Sequence, residues 1–310
     1  MTWPLALWTA LWLTGCDPTP GSDLLAYDPV EAGRKVGSLP AERAFHEIFS
    51  YGEATMAERG MAEAVERGAR LPTSAQHDFF DGAAHGWRVP LGSDPAVLYA
   101  ELSAAAPRLY RERFEDAVAR SWTEQLDGVP GLVVPRVEAW ARITGTPVAL
   151  DGVRVGLQRS RGDDLAAALA VAARYPTDWQ PALYEELGWR AAQSRWVWGW
   201  RWERTLGTVP PATQCAFVHG SVRGRLLLRP WTDTAQAAAF AGDMAGHAGG
   251  CPAAASQGLA WGALIAWGPD ADRRLVELPE GPQRDSARLA LRRITSRDAP
   301  PPWALPSEPL

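Results

Sequence analysis

Residues 215–251 read CAFVHGSVRGRLLLRPWTDTAQAAAFAGDMAGHAGGC. Two helix-favouring runs, Ala216–Leu228 and Thr234–His247, flank Pro230-Trp231-Thr232-Asp233, whose residues favour a turn. The spacing predicts an antiparallel helical hairpin. In such a hairpin, residues whose numbers share one sum lie at the same height. Gly220 with Gly246, Gly224 with Gly242, His219 with His247 and Cys215 with Cys251 all share it. The glycine pairs are therefore expected to face each other, and the cysteines to meet at the open end. A helix-interior glycine costs roughly 1 kcal/mol relative to alanine, so a close helix–helix approach must offset it.

The same spacing recurs outward from this hairpin. An apolar residue is followed three later by Gly, and that Gly four later by a small residue, in Phe79-Gly82-Gly86, Phe217-Gly220-Gly224, Ala239-Gly242-Gly246 and Ala255-Gly258-Gly262. Phe49 with Gly52 and Trp196 with Gly199 are partial copies. Runs rich in Ala, Leu, Glu and Arg predict further helices over Ala41–Arg70, Asp94–Leu126, Asp163–Tyr175, Pro181–Leu206, Pro252–Trp267 and Arg284–Ile294. Asp163 and Asp164 stand where a helix begins, a place for capping rather than acid–base chemistry. One segment reads differently: Val148-Ala149-Leu150, Asp151-Gly152, Val153-Arg154-Val155 matches a two-residue β-hairpin, expected over 148–157. The fold class expected is mostly all-α: Gly-faced antiparallel helical hairpins in one domain over 39–294, with that one small β-hairpin.

The N-terminus carries a separate signal. Trp3–Leu13 is apolar apart from Pro4 and Thr9, too short to span a bilayer, and it runs into Leu13-Thr14-Gly15-Cys16. This resembles the lipobox of bacterial lipoproteins, over the first 16 residues only. The resemblance implies a signal peptide over 1–15 and a diacylglycerol on Cys16, which becomes the mature N-terminus. It further implies a place in the bacterial cell envelope with the membrane as partner. No Lys or Arg precedes the apolar run, a departure from the usual positive start. Residues 16–38, with Asp17-Pro18-Thr19-Pro20-Gly21-Ser22 after the cysteine, read as a flexible tether, and 295–310 as a Pro-rich disordered tail.

Composition bounds the rest. The chain has 310 residues, 46% of them hydrophobic and 22% charged, enough for a hydrophobic core. A net charge of -5 offers no attraction to nucleic acid. Lys35 is the only lysine.

Cys215, His219, His247 and Cys251 suit zinc by residue type. Helical phase opposes it, because His219 precedes its interface glycine and His247 follows its own, which sends the imidazoles to opposite faces. With Cys16 lipidated, export to an oxidising compartment favours a Cys215–Cys251 disulfide over a metal or free thiols. Asp81 and His85, one turn apart, are a weak candidate for an oriented base, with no nucleophile recognisably paired to them. His219-Gly220-Ser221 falls mid-helix, away from the strand–turn–helix that a nucleophile elbow needs. No catalytic residue, metal or cofactor is assigned. Trp196, Trp198, Trp200 and Trp202 are the densest of 16 tryptophans and offer a ligand or partner surface beside Arg195, Arg201 and Arg204. Three functions stay open. The leading one is a non-catalytic scaffold or interaction module of the envelope, binding another protein. A binding protein for a glycan, small molecule or metal comes second, and an unidentified hydrolase third.

Overall fold

Asp28, Asp94 and Asp164 each stand one residue before a helix and accept its free amides: Val30 N at 2.9 Å, Ala96 N at 2.8 Å and Ala167 N at 2.9 Å. Such caps, with Pro at first helical positions and Gly145 in the left-handed conformation after a last one, divide the chain into helices. The computed structural model describes residues 22–39, 41–161, 164–193, 202–228, 234–247 and 250–295. Among these the regular elements are all helical. They are α1 (Pro29–Gly37), α2 (Ala41–Arg70), α3 (Thr73–Gly86), α4 (Pro95–Ala105), α5 (Arg111–Gln125), α6 (Pro130–Thr144), α7 (Leu150–Arg161), α8 (Leu165–Ala172), α9 (Gln180–Gln193), α10 (Trp202–Thr208), α11 (Gln214–Leu228), α12 (Thr234–His247), α13 (Pro252–Trp267), α14 (Ala271–Val276) and α15 (Pro282–Thr295). Pro107, followed by a 3-10 turn over Arg108–Tyr110, splits the single helix expected over Asp94–Leu126 into α4 and α5.

The chain forms two compact units, Met1–Ser121 and Trp122–Leu310. In the first, Tyr51, Phe79, Phe80 and Phe114 are fully buried, with Phe80 stacked on Tyr110 at 4.5 Å between ring centres. α2 is broken at Gly60, whose φ of 81° and ψ of -178° suit glycine alone. In the second, Trp122 and Trp140 meet edge to face at 5.8 Å, and Leu183, Tyr184, Leu187 and Phe217 fill the core.

Two expectations need correction. The β-hairpin over 148–157 is helical, lying within and just before α7. Gly152, Val153, Gly156 and Leu157 are its buried residues, at helical spacing. Alternation over so few positions cannot separate a period of 2 from one of 3.6. The flexible tether over 16–38 also fails from Ser22 onward, where a 3-10 turn (Ser22–Ala26) leads into α1.

The interhelical glycines are built in, but against other partners than expected. A Cβ on Gly220 would lie 2.7 Å from the Glu185 carbonyl carbon and 3.0 Å from Trp189 N, and one on Gly224 2.7 Å from Trp189 O, all on α9. Gly188 of α9 abuts the Phe217 carbonyl of α11 in return. Gly258 and Gly262 of α13 abut the His219 and Arg223 carbonyls of α11. By contrast, a Cβ on Gly242 would meet only the Gln283 side chain, at 3.3 Å, and one on Gly246 would meet nothing within 4 Å. The pairing of Gly220 with Gly246 and of Gly224 with Gly242 is therefore overturned.

Contacts between neighbouring helices keep a constant separation along the chain, not a constant sum. Residue 185 faces 220 as 189 faces 224, and 219 faces 258 as 223 faces 262, so α9, α11 and α13 run parallel, with α10 and α12 between them. Arg154 meets Glu186, and Arg190 donates to the Gln158 carbonyl, extending the stack to α7. Within the first unit, Phe49 faces Gly82 as Glu53 faces Gly86, so the start of α2 runs parallel to α3. Arg120 of α5 then donates to the Ala84 carbonyl of α3, 36 residues away. Each unit thus contains helices that pack in parallel through glycine, α2 on α3 in the first and α9, α11 and α13 in the second.

Candidate functional site

The stack gathers charges where α7, α9 and α11 meet. On α9, Glu185 and Glu186 follow one another within an otherwise apolar buried run, Ala182 to Gly188. Helical phase sends them to different neighbours. Glu185 Oε1 faces α11, where Arg223 Nη1 lies at 2.8 Å and His219 Nδ1 at 3.2 Å. Glu186 Oε2 faces α7, where Arg154 Nη1 lies at 3.1 Å; Arg154 also reaches Asp151 Oδ1 at 3.1 Å. The Arg223 guanidinium lies 4.4 Å above the Trp189 ring, and Ser221 Oγ donates to the Gly188 carbonyl at 3.0 Å. Between α9 and α11, the close approach at Gly188 and Gly220 sets Glu185 beside His219 and Arg223.

Burial sets the electrostatics. It would raise the Glu185 carboxyl, but His219, then Arg223 and Arg154, outweigh it and hold that carboxyl below its ordinary value. For Glu186 burial wins, and its carboxyl lies above the usual range despite Arg154 and Arg223. Burial also lowers Arg223, against the pull of Glu185. His219 is 0% exposed, and its Nε2 has no hydrogen-bond partner among the described residues. No substrate reaches a base so enclosed, and the Ser221 hydroxyl is engaged with backbone. These groups fix the register of three helices.

The structure contains the Cys215–Cys251 disulfide, with Cα atoms 5.2 Å apart. Cys215 opens α11 and Cys251 caps α13, so the bond ties two parallel helices at one end. His219 is buried against Glu185, whereas His247 is exposed, its Nδ1 2.8 Å from the Asp243 carbonyl. The four residues weighed for zinc thus part into a disulfide and two separate imidazoles. Among the described residues no three His, Cys, Asp or Glu side chains gather to hold a metal.

In the first unit, the partner of His85 is Glu53, with Nδ1 and Oε1 3.0 Å apart, in place of the expected Asp81. Asp81 instead pairs with Arg113, whose Nη2 lies 2.6 Å from His77 Nε2. Both clusters are partly exposed. An open groove of about 450 Å³ between α13, α14 and α15 is lined by Leu264, Gly268, Ala271 and Leu291 together with Asp272, Arg292 and Thr295. Asp272 is held by Arg288 through two hydrogen bonds, and the Thr295 hydroxyl donates to the Leu291 carbonyl at 2.9 Å, so each is engaged with its own neighbour.

Cys16, Trp196, Trp198 and Trp200 lie outside the described residues; Trp202 begins α10. Glu185, Glu186, Arg154 and Arg223 escaped the sequence reading. Their one legible signal was two adjacent acids inside an apolar helical run. No family model, curated protein or solved structure matches the chain.

Proposed function

We propose that the chain is a lipid-anchored, non-catalytic scaffold of the bacterial cell envelope, whose stacked helices bind another protein. The parallel stacking of α9, α11 and α13 through backbone contact, with α7 joined to α9 by Arg154 and Arg190, supports this most directly. Such arrays are rigid, expose extended helical surfaces and place few demands on any single pocket. The chemistry agrees: its acid–base groups are either enclosed as structural ion pairs or paired on open surface. No described helix is long and apolar enough to cross a membrane; in this reading the lipid on Cys16 supplies the attachment.

Two measurements test the reading. Cys16→Ser should leave the membrane fraction, whereas the unaltered protein should partition with it; equal partitioning would remove the anchor. Crosslinking in intact envelopes should recover one abundant protein partner at near-stoichiometric yield. Recovery of none, together with hydrolytic turnover by the purified protein, would favour an enzyme.

A further inference from the structure

We infer that the outer face of α1, with Tyr27, Val30, Arg34 and Lys35, rests against the headgroup layer of a phospholipid bilayer. This rests on the reading of Cys16 as the lipidated residue.

The folded chain begins much nearer that cysteine than its composition implies. The turn before α1 is held to α2: Arg67 Nη1 donates to the carbonyls of Leu25 at 3.3 Å and Tyr27 at 3.2 Å, and to Tyr51 Oη at 3.0 Å. Arg70 pairs with Asp28, the cap of α1. Pro29, Ala32, Gly33 and Val36 are buried, with Gly33 close against Pro72. Residues 22–37 are therefore part of the folded unit.

Only residues 17–21 separate Cys16 from Ser22. At 3.3–3.6 Å per residue their full extension reaches about 20 Å. A tether running to residue 38 would have reached about 75 Å. The shorter limit lets α1 approach the surface until its basic side chains come within one Debye length, about 8–10 Å, where headgroups attract them.

The face left open by α2 suits that neighbour. Val30 is 56% exposed, one of the most exposed large apolar residues described. Arg34 follows one turn later, open to solvent apart from a 3.6 Å pair with Glu31. Lys35 holds its ammonium 3.6 Å from the centre of the Tyr27 ring. Val30, Arg34 and Lys35 of α1, with Tyr27 just before it, form the set that settles at a membrane–water interface, and Glu31 offsets only one of the two cations.

The test uses the full-length lipidated protein in phosphatidylcholine–phosphatidylglycerol vesicles carrying a nickel-chelating headgroup. A nitroxide is attached at Arg34→Cys or, as reference, at Glu58→Cys beyond the Gly60 break. Relaxation enhancement should be at least threefold greater at position 34 than at 58. Inserting twenty Gly/Ser residues between Gly21 and Ser22 should bring the two together. Equal enhancement without the insertion, or a difference the insertion does not change, would overturn the proposal. Cys16→Ser serves as a separate control: if it still binds the vesicles, the anchor reading fails, independently of which face meets the bilayer.

Discussion

Replacing Gly220 and Gly242 by alanine, one at a time, separates the two ways this chain could pack. Alanine gains about 1 kcal/mol of intrinsic helix preference over glycine at either site. At position 220 the new Cβ would lie 2.7 Å from the Glu185 carbonyl carbon and 3.0 Å from Trp189 N. Carbon–carbon contacts relax to about 3.5–4.0 Å, so α9 and α11 must part by roughly 1 Å. Backbone lies on both sides of the contact, leaving no side chain to swing away. Overpacking of this kind costs about 3 kcal/mol at the upper end of its usual range, leaving a net loss of about 2 kcal/mol. In a unit of this size that corresponds to a fall in Tm of about 4–8 °C. At position 242 the Cβ meets only Gln283 Nε2, at 3.3 Å, the far end of a flexible side chain. Gly242→Ala should therefore raise stability by about 0.5–1 kcal/mol. Thermal unfolding followed by circular dichroism, with urea titration alongside, reads both. If Gly220→Ala matches or exceeds the unaltered protein, the reasoning is refuted. It fails equally if Gly242→Ala does as much damage, because the antiparallel pairing of these glycines requires that result.

Further predictions concern the enclosed charges, the disulfide and the α2 break. Glu185→Gln removes the carboxylate that Arg223 and His219 meet directly and should cost about 3 kcal/mol or more at pH 7, read by urea unfolding. The folded pKa of Glu185 is lowered, so its contribution is complete above the unfolded carboxylate value and is lost as pH falls through the folded one. The gap between variant and unaltered protein should therefore narrow in acid. For Glu186 the folded pKa is raised, so its contribution is complete below the unfolded value and lost as pH rises through the folded one. Glu186→Gln, which mimics the protonated form, should cost less at pH 7 than Glu185→Gln; an equal loss would contradict the difference in environment. Replacing Cys215 and Cys251 together by Ser opens a link across 36 positions and should cost about 3–4 kcal/mol, measured by guanidinium unfolding. Gly60→Ala, in a backbone conformation that suits glycine, should lose about 1–3 kcal/mol, and an unchanged unfolding midpoint would argue against the break in α2.

Much of the helical content was legible locally. Asp164 caps α8, Thr234–His247 and Pro252–Trp267 are helices with the expected bounds, and Cys215 is bonded to Cys251. Each follows from composition, capping chemistry or the pairing of two remaining cysteines. Other elements were masked. α6 starts at Pro130 and carries Pro135 inside it, which hid a helix behind two breakers. α7 looked like a hairpin because Asp151-Gly152 serves equally in a turn and in a first helical turn.

Sequence alone determined which helix faces are small enough for backbone contact: Phe217-x-x-Gly220-x-x-x-Gly224 marks such a face without reference to any partner. Tertiary structure decided which helix meets it. A glycine stripe lacks the bulk and charge that would select a neighbour, and equal sums and equal separations can coexist in one sequence. Glu185, His219 and Arg223 resolve the choice, since their ion pairs form only when α9 lies parallel against α11. Their role was invisible beforehand because it belongs to a contact between residues more than thirty positions apart, not to any local pattern.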